Sequence, residues 1–136
     1  ENKLIKEFIS CRNIKPEYKY SNDTRFDFLC DNKLLEVKNV TFIRNNIAQF
    51  PDARTERGTK HLIKLKESIG KKFEPFVLFL TQIEDINKFS IAKDIDENYF
   101  NNYLIAKKAG VKFLAYKCDV NSREIKIKEK IEILDE

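Results

Sequence analysis

One stretch of the sequence, RFDFLCDNKLLEVKNV (25–40), constrains the fold more than any other. Apolar residues run along both of its halves, and the pair Asp31-Asn32 between them tolerates the positive φ angles of a tight turn. The stretch is therefore predicted to form a β-hairpin with a two-residue turn. In that register Cys30 pairs with Lys33.

The same register brings three charged side chains together. Counting outward from the turn places Asp27 directly opposite Glu36, and the alternation of side chains along a strand puts Lys38 on the same face as Glu36. Opposed like charges destabilise a sheet by roughly 0.2–1 kcal/mol, and by more where water is excluded. A cation between the carboxylates would offset this repulsion, so the pattern predicts a cation site.

A half-exposed hairpin is the alternative, with its polar face in water and Lys38 neutralising the carboxylates. Against it, apolar residues occur on both faces of the strand that contains Glu36. Such a run is typical of a strand that is buried on both sides, and buried carboxylates need partners.

Composition limits the class of protein. A chain of 136 residues with 42% hydrophobic content is predicted to form one domain, and its net charge of +4 favours an anionic partner. No segment approaches the roughly 18 consecutive apolar residues of a membrane-spanning helix, and no signal-peptide pattern occurs in this sequence. Cys11, Cys30 and Cys118 form no CxxC pair, which predicts reduced thiols in a cytoplasmic protein. Because the chain opens on Glu1 and contains no Met, we expect it to be a fragment.

The remaining elements follow from hydrophobic periodicity and turn residues. We expect a helix (2–11), a strand (17–20), the hairpin, a loop (43–54), a helix (55–68), a buried strand (76–81), a polar connection (84–95), a helix (97–108), a strand (111–118) and a final edge strand or hairpin (123–134). The strand–helix–strand order makes strands 76–81 and 111–118 parallel neighbours. The predicted fold class is α/β, a mixed sheet flanked by helices with an αβββαβ core followed by a helix and strands.

Two helices carry residue patterns that predict their faces. The helix predicted over 55–68 has an apolar stripe of Gly58, Leu62, Leu65 and Ile69. It also has a basic stripe of Arg54, Arg57, His61 and Lys64, with Lys60 beside it. The helix predicted over 97–108 has one apolar side, made of Phe100, Leu104 and Ile105. A basic stripe by itself indicates a solvated face.

Four segments resemble the sugar fermentation stimulation protein A family, over nearly the whole chain. They are EYKYSNDTRFDF (17–28), LEVKNVTF (35–42), FPDARTERGTKHL (50–62) and FSIAKDID (89–96). The chain departs from the family pattern at Ser21, commonly Gly, and at Arg54, commonly a small aliphatic residue. The Asp and Glu-x-Lys pattern also resembles the PD-(D/E)XK nucleases. The resemblance implies a restriction-endonuclease-like fold, DNA as the partner, and an N-terminal OB-fold domain preceding this one in the full-length protein.

The resemblance also implies a metal-dependent site. Asp27, Glu36 and Lys38 would be catalytic, and Mg²⁺ or Mn²⁺ would be held by Asp27, Glu36, the Val37 carbonyl and Glu17. Hard oxygen ligands suit these ions.

The position of Glu17 depends on the turn at Asn22-Asp23. A two-residue turn places Glu17 opposite Phe28, on the wrong face, whereas a three-residue loop places it opposite Asp27. The second case fits the family better.

By the same resemblance, Arg57, Lys60 and His61 would contact DNA phosphates and give salt-dependent, sequence-independent affinity. Glu7 and Glu56 are further acidic residues near these segments. The first is expected in a solvated helix face, and the second near the positive end of a helix dipole.

Two functions fit this set of residues. One is a metal-dependent DNA phosphodiesterase, which the intact Asp27, Glu36 and Lys38 set favours. The other is a non-catalytic DNA-binding or regulatory module on a nuclease scaffold, which the family's description as DNA-binding favours. A structural domain without a nucleic-acid role is a third and weaker reading.

Overall fold

The computed structural model describes residues 11–83, 85–120 and 125–134. In chain order the elements of these ranges are β1 (Ile14–Ser21), β2 (Thr24–Cys30), β3 (Lys33–Val40), β4 (Phe42–Arg44), β5 (Ile47–Phe50), α1 (Glu56–Ile69), β6 (Glu74–Thr81), β7 (Lys88–Ile91), α2 (Glu97–Ala109), β8 (Lys112–Val120) and β9 (Ile125–Leu134). No helix in the described part of the chain is long and apolar enough to cross a membrane.

The strands form one mixed sheet in the order β1-β2-β3-β6-β8-β9-β7-β5-β4. The first three strands are an antiparallel meander, and β3, β6 and β8 run parallel. Strand β9 is antiparallel to β8 and parallel to β7, which pairs in parallel with β5, and β4 closes the far edge. The predicted mixed α/β sheet is confirmed, including the parallel β6–β8 pair that α2 connects.

The β2–β3 hairpin has the predicted two-residue turn, with Cys30 paired to Lys33. Asp31 in the turn has a φ of 56°. Its carboxylate accepts hydrogen bonds from the backbone N–H groups of Arg12 and Asn13. The turn therefore also anchors the segment that precedes β1.

The sheet buries apolar side chains on both faces. One face packs against α1 and α2, whose buried residues include Leu62, Leu65, Tyr99 and Tyr103. The opposite face carries a second apolar cluster, made mainly of Leu35, Phe76, Leu78, Leu80, Leu114 and Tyr116. Burial on both sides, predicted for the strands that contain Glu36 and Val77, is confirmed.

The predicted apolar side of α2 is wrong for two of its three residues. Leu104 and Ile105 are 42% and 50% exposed, whereas the buried residues are Tyr99, Phe100, Tyr103 and Ala106. The buried stripe follows aromatic rings at helical spacing, and two of these rings are tyrosines with a polar atom.

Two connections contain strands that the sequence did not predict. The β4–β5 hairpin covers most of the expected loop 43–54, and its Asn45 and Asn46 both have positive φ, as a two-residue hairpin turn requires. The expected polar connection 84–95 contains β7.

The last strand is predicted correctly but not its place in the sheet. The strand expected over 123–134 is β9, which pairs antiparallel with β8. Its expected edge position is wrong, because β9 lies between β8 and β7.

The cysteine prediction is also corrected. Cys11 and Cys30 are joined by a disulfide, so the expectation of three reduced thiols is wrong for this pair. Cys118 is free and buried. The helix predicted over 2–11 and the side chain of Glu7 fall on residues 1–10, outside the described residues.

Two glycines of the α1 region provide a matched test of its packing. A Cβ at Gly58 would lie 2.9 Å from side-chain atoms of Thr55 and 3.2 Å from Cε1 of Tyr99. Since the Thr55 side chain caps α1 by accepting from the Gly58 N–H, Gly58→Ala is expected to lower the free energy of unfolding by about 0.5–2 kcal/mol. Urea denaturation measures this change.

Gly70→Ala is the control, because its Cβ would meet nothing closer than a carbonyl at 3.6 Å and its φ is −67°. We expect this variant to be as stable as the wild type, or more stable by about 0.4–1 kcal/mol. Equal stability of the two variants would contradict the packing described for Gly58.

Candidate functional site

A gap between β2 and β3 begins just beyond the hairpin. The pairing of the two strands ends at Phe28 and Leu35. In a continued antiparallel ladder, the Val37 N–H would donate to the carbonyl of Phe26. Instead it donates to Oδ2 of Asp27 at 2.7 Å. The Asp27 carboxylate thus lies between the strands, and the Val37 carbonyl points to the same side as its N–H.

A buried ionic cluster lies beside this gap. Oε2 of Glu36, a residue that is only 6% exposed, accepts from His61 Nδ1 at 2.9 Å and from Lys38 Nζ at 3.1 Å. His61 Nδ1 carries the proton that is donated to the carboxylate. The Lys38 side chain is 16% exposed, and its Nζ lies 5.9 Å from the centre of the Phe50 ring.

The pKa values of the two carboxyl groups, Asp27 and Glu36, are shifted in opposite directions. Burial raises the pKa of Asp27, and the Glu36 charge raises it further, against the opposing effect of the Val37 hydrogen bond. Burial alone would raise the pKa of Glu36, but the hydrogen bond from His61 and the charge of Lys38 together lower it below its usual value. Glu36 is therefore the stabilised anion of the pair.

One carboxylate joins the N-terminal ends of α1 and α2. The Thr55 N–H donates to Oδ2 of Asp96 at 2.8 Å, and Oδ1 of the same carboxylate accepts from the Tyr99 N–H and caps α2. Because Thr55 is the N-cap of α1, Asp96 connects the starts of the two helices.

The structure places the three predicted catalytic residues at one site. Lys38 contacts Glu36, and Asp27 accepts a hydrogen bond from the N–H of Val37, the residue between Glu36 and Lys38. His61 joins them, although the sequence had assigned it to phosphate contacts. A signal for this position existed, because His61 lies three residues after Gly58 and four before Leu65, both of which are buried.

An irregularity in β1, which neither predicted turn length included, decides which residue of β2 lies opposite Glu17. The β1–β2 turn has two residues, with Ser21 paired to Thr24, but the register shifts between Lys19 and Ser21. The pairs on either side of Glu17 therefore place it opposite Asp27. Glu17 has a φ of 49°, and its side chain is exposed.

The other predicted basic residues lie on the outer side of α1. Lys60 pairs with the Asp23 carboxylate at 3.0 Å, and Arg57 is exposed. They line an open cleft of about 540 Å³ between the β1–β2 turn and α1, which we call the α1 cleft. Its lining residues are Asn22, Asp23, Thr24, Arg25, Glu56, Arg57, Lys60 and His61.

The α1 cleft leads to the buried cluster, because His61 belongs to both. Sequence reasoning missed Arg25 in this cleft. Its position gave a signal, since Arg25 precedes Asp27 by two residues on β2, and residues two apart on a strand project to the same side.

The carboxylate oxygens of Asp27 and Glu36 are suited to bind a divalent cation. Among the described residues, nothing donates a hydrogen bond to Oδ1 of Asp27 or Oε1 of Glu36. The only group of three or more His, Cys, Asp or Glu side chains in the described ranges that lies close enough to share an ion is Cys11, Cys30 and Asp31. Both sulfurs of that group are in the disulfide, so they are not thiolate ligands.

Comparison with known proteins gives consistent matches. A family model described as the sugar fermentation stimulation protein RE domain matches residues 1–124. Sugar fermentation stimulation protein homologs of Pelagibacter ubique and Clostridium tetani are 52% and 36% identical; each alignment covers 98% of this chain, and 60% and 64% of those proteins. The chain thus spans about three fifths of the length of these curated relatives.

The fold is also found in a solved structure of the same family. Pyrococcus furiosus SfsA in complex with Ca²⁺ superposes with a TM-score of 0.84 at 24% sequence identity, over 96% of this chain and 58% of that chain. The predicted restriction-endonuclease-like fold is confirmed by this likeness.

Substitutions at Asp27 test its place between the strands. Asp27→Ala removes the acceptor of the partly buried Val37 N–H, which is expected to cost about 1–3 kcal/mol of unfolding free energy. Asp27→Asn keeps an oxygen acceptor and removes the charge next to Glu36, so we expect little loss or a small gain. Urea denaturation of both variants distinguishes these outcomes, and equal losses would contradict the hydrogen bond.

The pH dependence of the same comparison tests the raised pKa of Asp27. Because folding raises this pKa above 3.8, the folded chain binds the proton more tightly, and ionisation of Asp27 costs stability as the pH rises. The stability of Asp27→Asn relative to wild type should therefore be greatest above the raised pKa and should decline as the pH falls toward 3.8. A difference that does not change with pH would show that the environment of Asp27 does not disfavour its charge.

Proposed function

The chain belongs to the sugar fermentation stimulation protein family, and from the geometry of its site we propose that this domain is a metal-dependent phosphodiesterase acting on DNA. One observation carries the proposal. Two carboxylates, each with an oxygen that accepts no hydrogen bond from the described residues, lie at the same gap in the sheet as a partly buried lysine. Metal-dependent phosphodiester cleavage uses this combination, in which the cation polarises the phosphate and a fixed positive charge stabilises the charge that develops on it.

Asp27, Glu36 and the Val37 carbonyl are the proposed ligands of Mg²⁺ or Mn²⁺. All three offer the hard oxygen atoms that these ions prefer. The Pyrococcus furiosus relative was solved in complex with Ca²⁺, another cation that binds oxygen. A bound divalent ion supplies Lewis-acid stabilisation of phosphate charge. Glu17 is proposed as a further ligand, because the strand register places it opposite Asp27.

Lys38 and His61 both bond to Oε2 of Glu36, and we propose a different role for each. The Lys38 ammonium, which Glu36 holds at 3.1 Å, stabilises negative charge that develops on the phosphate. His61 donates to the same carboxylate oxygen and thereby orients Glu36, as hydrogen-bonding partners behind metal ligands commonly do. Arg57 and Lys60 supply backbone affinity from the α1 cleft.

A non-catalytic DNA-binding module is the second candidate. The observation in its favour is that the Lys38 ammonium already balances the Glu36 charge, His61 already bonds to it, and the Val37 N–H already bonds to Asp27, without an ion. This candidate predicts DNA binding that survives EDTA and weakens in Arg57→Ala or Lys60→Ala. In the full-length protein, either function is expected to involve the N-terminal OB-fold domain that the family resemblance implies.

A cleavage assay distinguishes the two candidates. Single- and double-stranded DNA are incubated with the purified domain and Mn²⁺, comparing the wild type with Lys38→Ala, Asp27→Asn and Glu36→Gln. We expect wild-type cleavage and a loss of about 10²-fold or more in each variant, since each removes a charge that acts on the phosphate or the cation.

Calorimetry with Mn²⁺ separates the roles of these residues. Asp27→Asn and Glu36→Gln should lose cation affinity, whereas Lys38→Ala should retain it. Lys66→Ala, an exposed lysine in the last turn of α1, is the matched control and should cleave like the wild type. Absence of Mn²⁺-dependent cleavage by the wild type, with EDTA-resistant DNA binding, would establish the non-catalytic candidate instead.

A further inference from the structure

The α1 cleft contains two arginines without an acidic partner among the described residues. Arg25 lies on β2 and Arg57 lies in the first turn of α1, and both line the cleft. Neither forms an ion pair within the described ranges, although two carboxylates, those of Asp23 and Glu56, also line the cleft.

The nearby Asp23 carboxylate is already engaged. It pairs with Lys60 at 3.0 Å and accepts hydrogen bonds from the hydroxyls of Ser21 and Thr24. The Lys60 ammonium also donates to the Asp23 carbonyl at 3.3 Å. These contacts tie the β1–β2 turn to α1 and occupy both Lys60 and Asp23. Lys60 thus shares its charge with Asp23, whereas the two guanidinium groups of the cleft are paired with no carboxylate among the described residues.

We propose that the α1 cleft binds a phosphate of a nucleic-acid backbone between Arg25 and Arg57. This inference rests on the proposed function and deepens it, because it adds Arg25 and assigns the cleft to one phosphate. The planar guanidinium group binds phosphate through two parallel N–H donors, which an ammonium cannot do. Arg57 also lies near the positive end of the α1 dipole, where anions are favoured.

The cleft lies beside the buried cluster. His61 is one of its lining residues and bonds to Glu36 through Nδ1. A phosphate held by the two arginines would therefore lie on the α1 side of the buried cluster, separated from Glu36 by His61. The volume of about 540 Å³ lies in the range of about 300–1,000 Å³ that small-molecule sites occupy, so the cleft has room for a nucleotide backbone unit.

Arg54 offers a matched control within the same stretch of chain. The basic stripe of the sequence grouped it with Arg57, but the structure separates the two. Arg54 is exposed and lines a different cleft, together with Gln49, Ser90 and Asp94. Substitution of Arg54 removes the same charge without altering the α1 cleft.

The experiment measures binding of a short fluorescein-labelled DNA by anisotropy, in EDTA and over a series of salt concentrations. For duplex DNA, the double variant Arg25→Ala/Arg57→Ala should reduce the slope of log K against log [salt] by about 0.9, and for single strands by about 0.7, because one phosphate contact is lost. Each single variant should lose part of this slope, since both arginines hold the same phosphate. Arg54→Ala should keep the wild-type slope.

Variants that replace each arginine with lysine distinguish a loss of phosphate binding from a loss of folding. Arg25→Lys and Arg57→Lys should restore most of the slope, because the charge remains, but not the full affinity, because the paired N–H donors are lost. Both arginines are exposed, so thermal unfolding should show the same Tm for all of these variants.

The outcome distinguishes this inference from the proposed function. If Arg25→Ala and Arg57→Ala bind like Arg54→Ala, or if wild-type binding does not depend on salt, the cleft proposal is overturned, whether or not Mn²⁺ supports cleavage. If their slopes fall as expected while no cleavage occurs in Mn²⁺, the cleft proposal stands and the phosphodiesterase proposal is overturned.

Discussion

A buried carboxylate on β3 sets the positions of the elements around it. Glu36 is 6% exposed, and a buried ion that loses its partner destabilises a protein by about 3–5 kcal/mol. Its partners come from the same strand, through Lys38, and from α1, through His61. The face of α1 that carries His61 must therefore turn toward Glu36, and Asp96 joins the start of α1 to the start of α2. The cost of burying this charge is a reason to expect that the site has a function beyond stability.

Local signals predicted most of the elements but not their neighbours in the sheet. The hairpin turn, the buried run of β6 and the ends of both helices follow from short patterns of residues, which the structure reproduces. The interior position of β9 was not predicted, because its pairing with β7 joins segments that are far apart in the sequence and leaves no local pattern of residues. The β4–β5 hairpin had a local signal in Asn45 and Asn46, which was read as a loop.

In the candidate site, too, the features set by local sequence were predicted and those set by long-range packing were not. The hairpin register places Glu36 and Lys38 on one face, because side-chain alternation follows directly from sequence spacing. The gap at Asp27 could not be predicted, since it depends on where the β2–β3 pairing ends. The inward direction of His61 depends on the rotation of α1 against the sheet, which long-range packing determines.

In the proposed function, Asp27 and Glu36 share one divalent ion at the gap between β2 and β3. Anomalous diffraction from crystals grown with Mn²⁺ shows whether an ion binds there. We expect a peak within bonding distance of Oδ1 of Asp27 and Oε1 of Glu36, next to the Val37 carbonyl. A map without a peak at this position, with Glu36 still bonded to Lys38 and His61, would show that the two carboxylates do not share an ion.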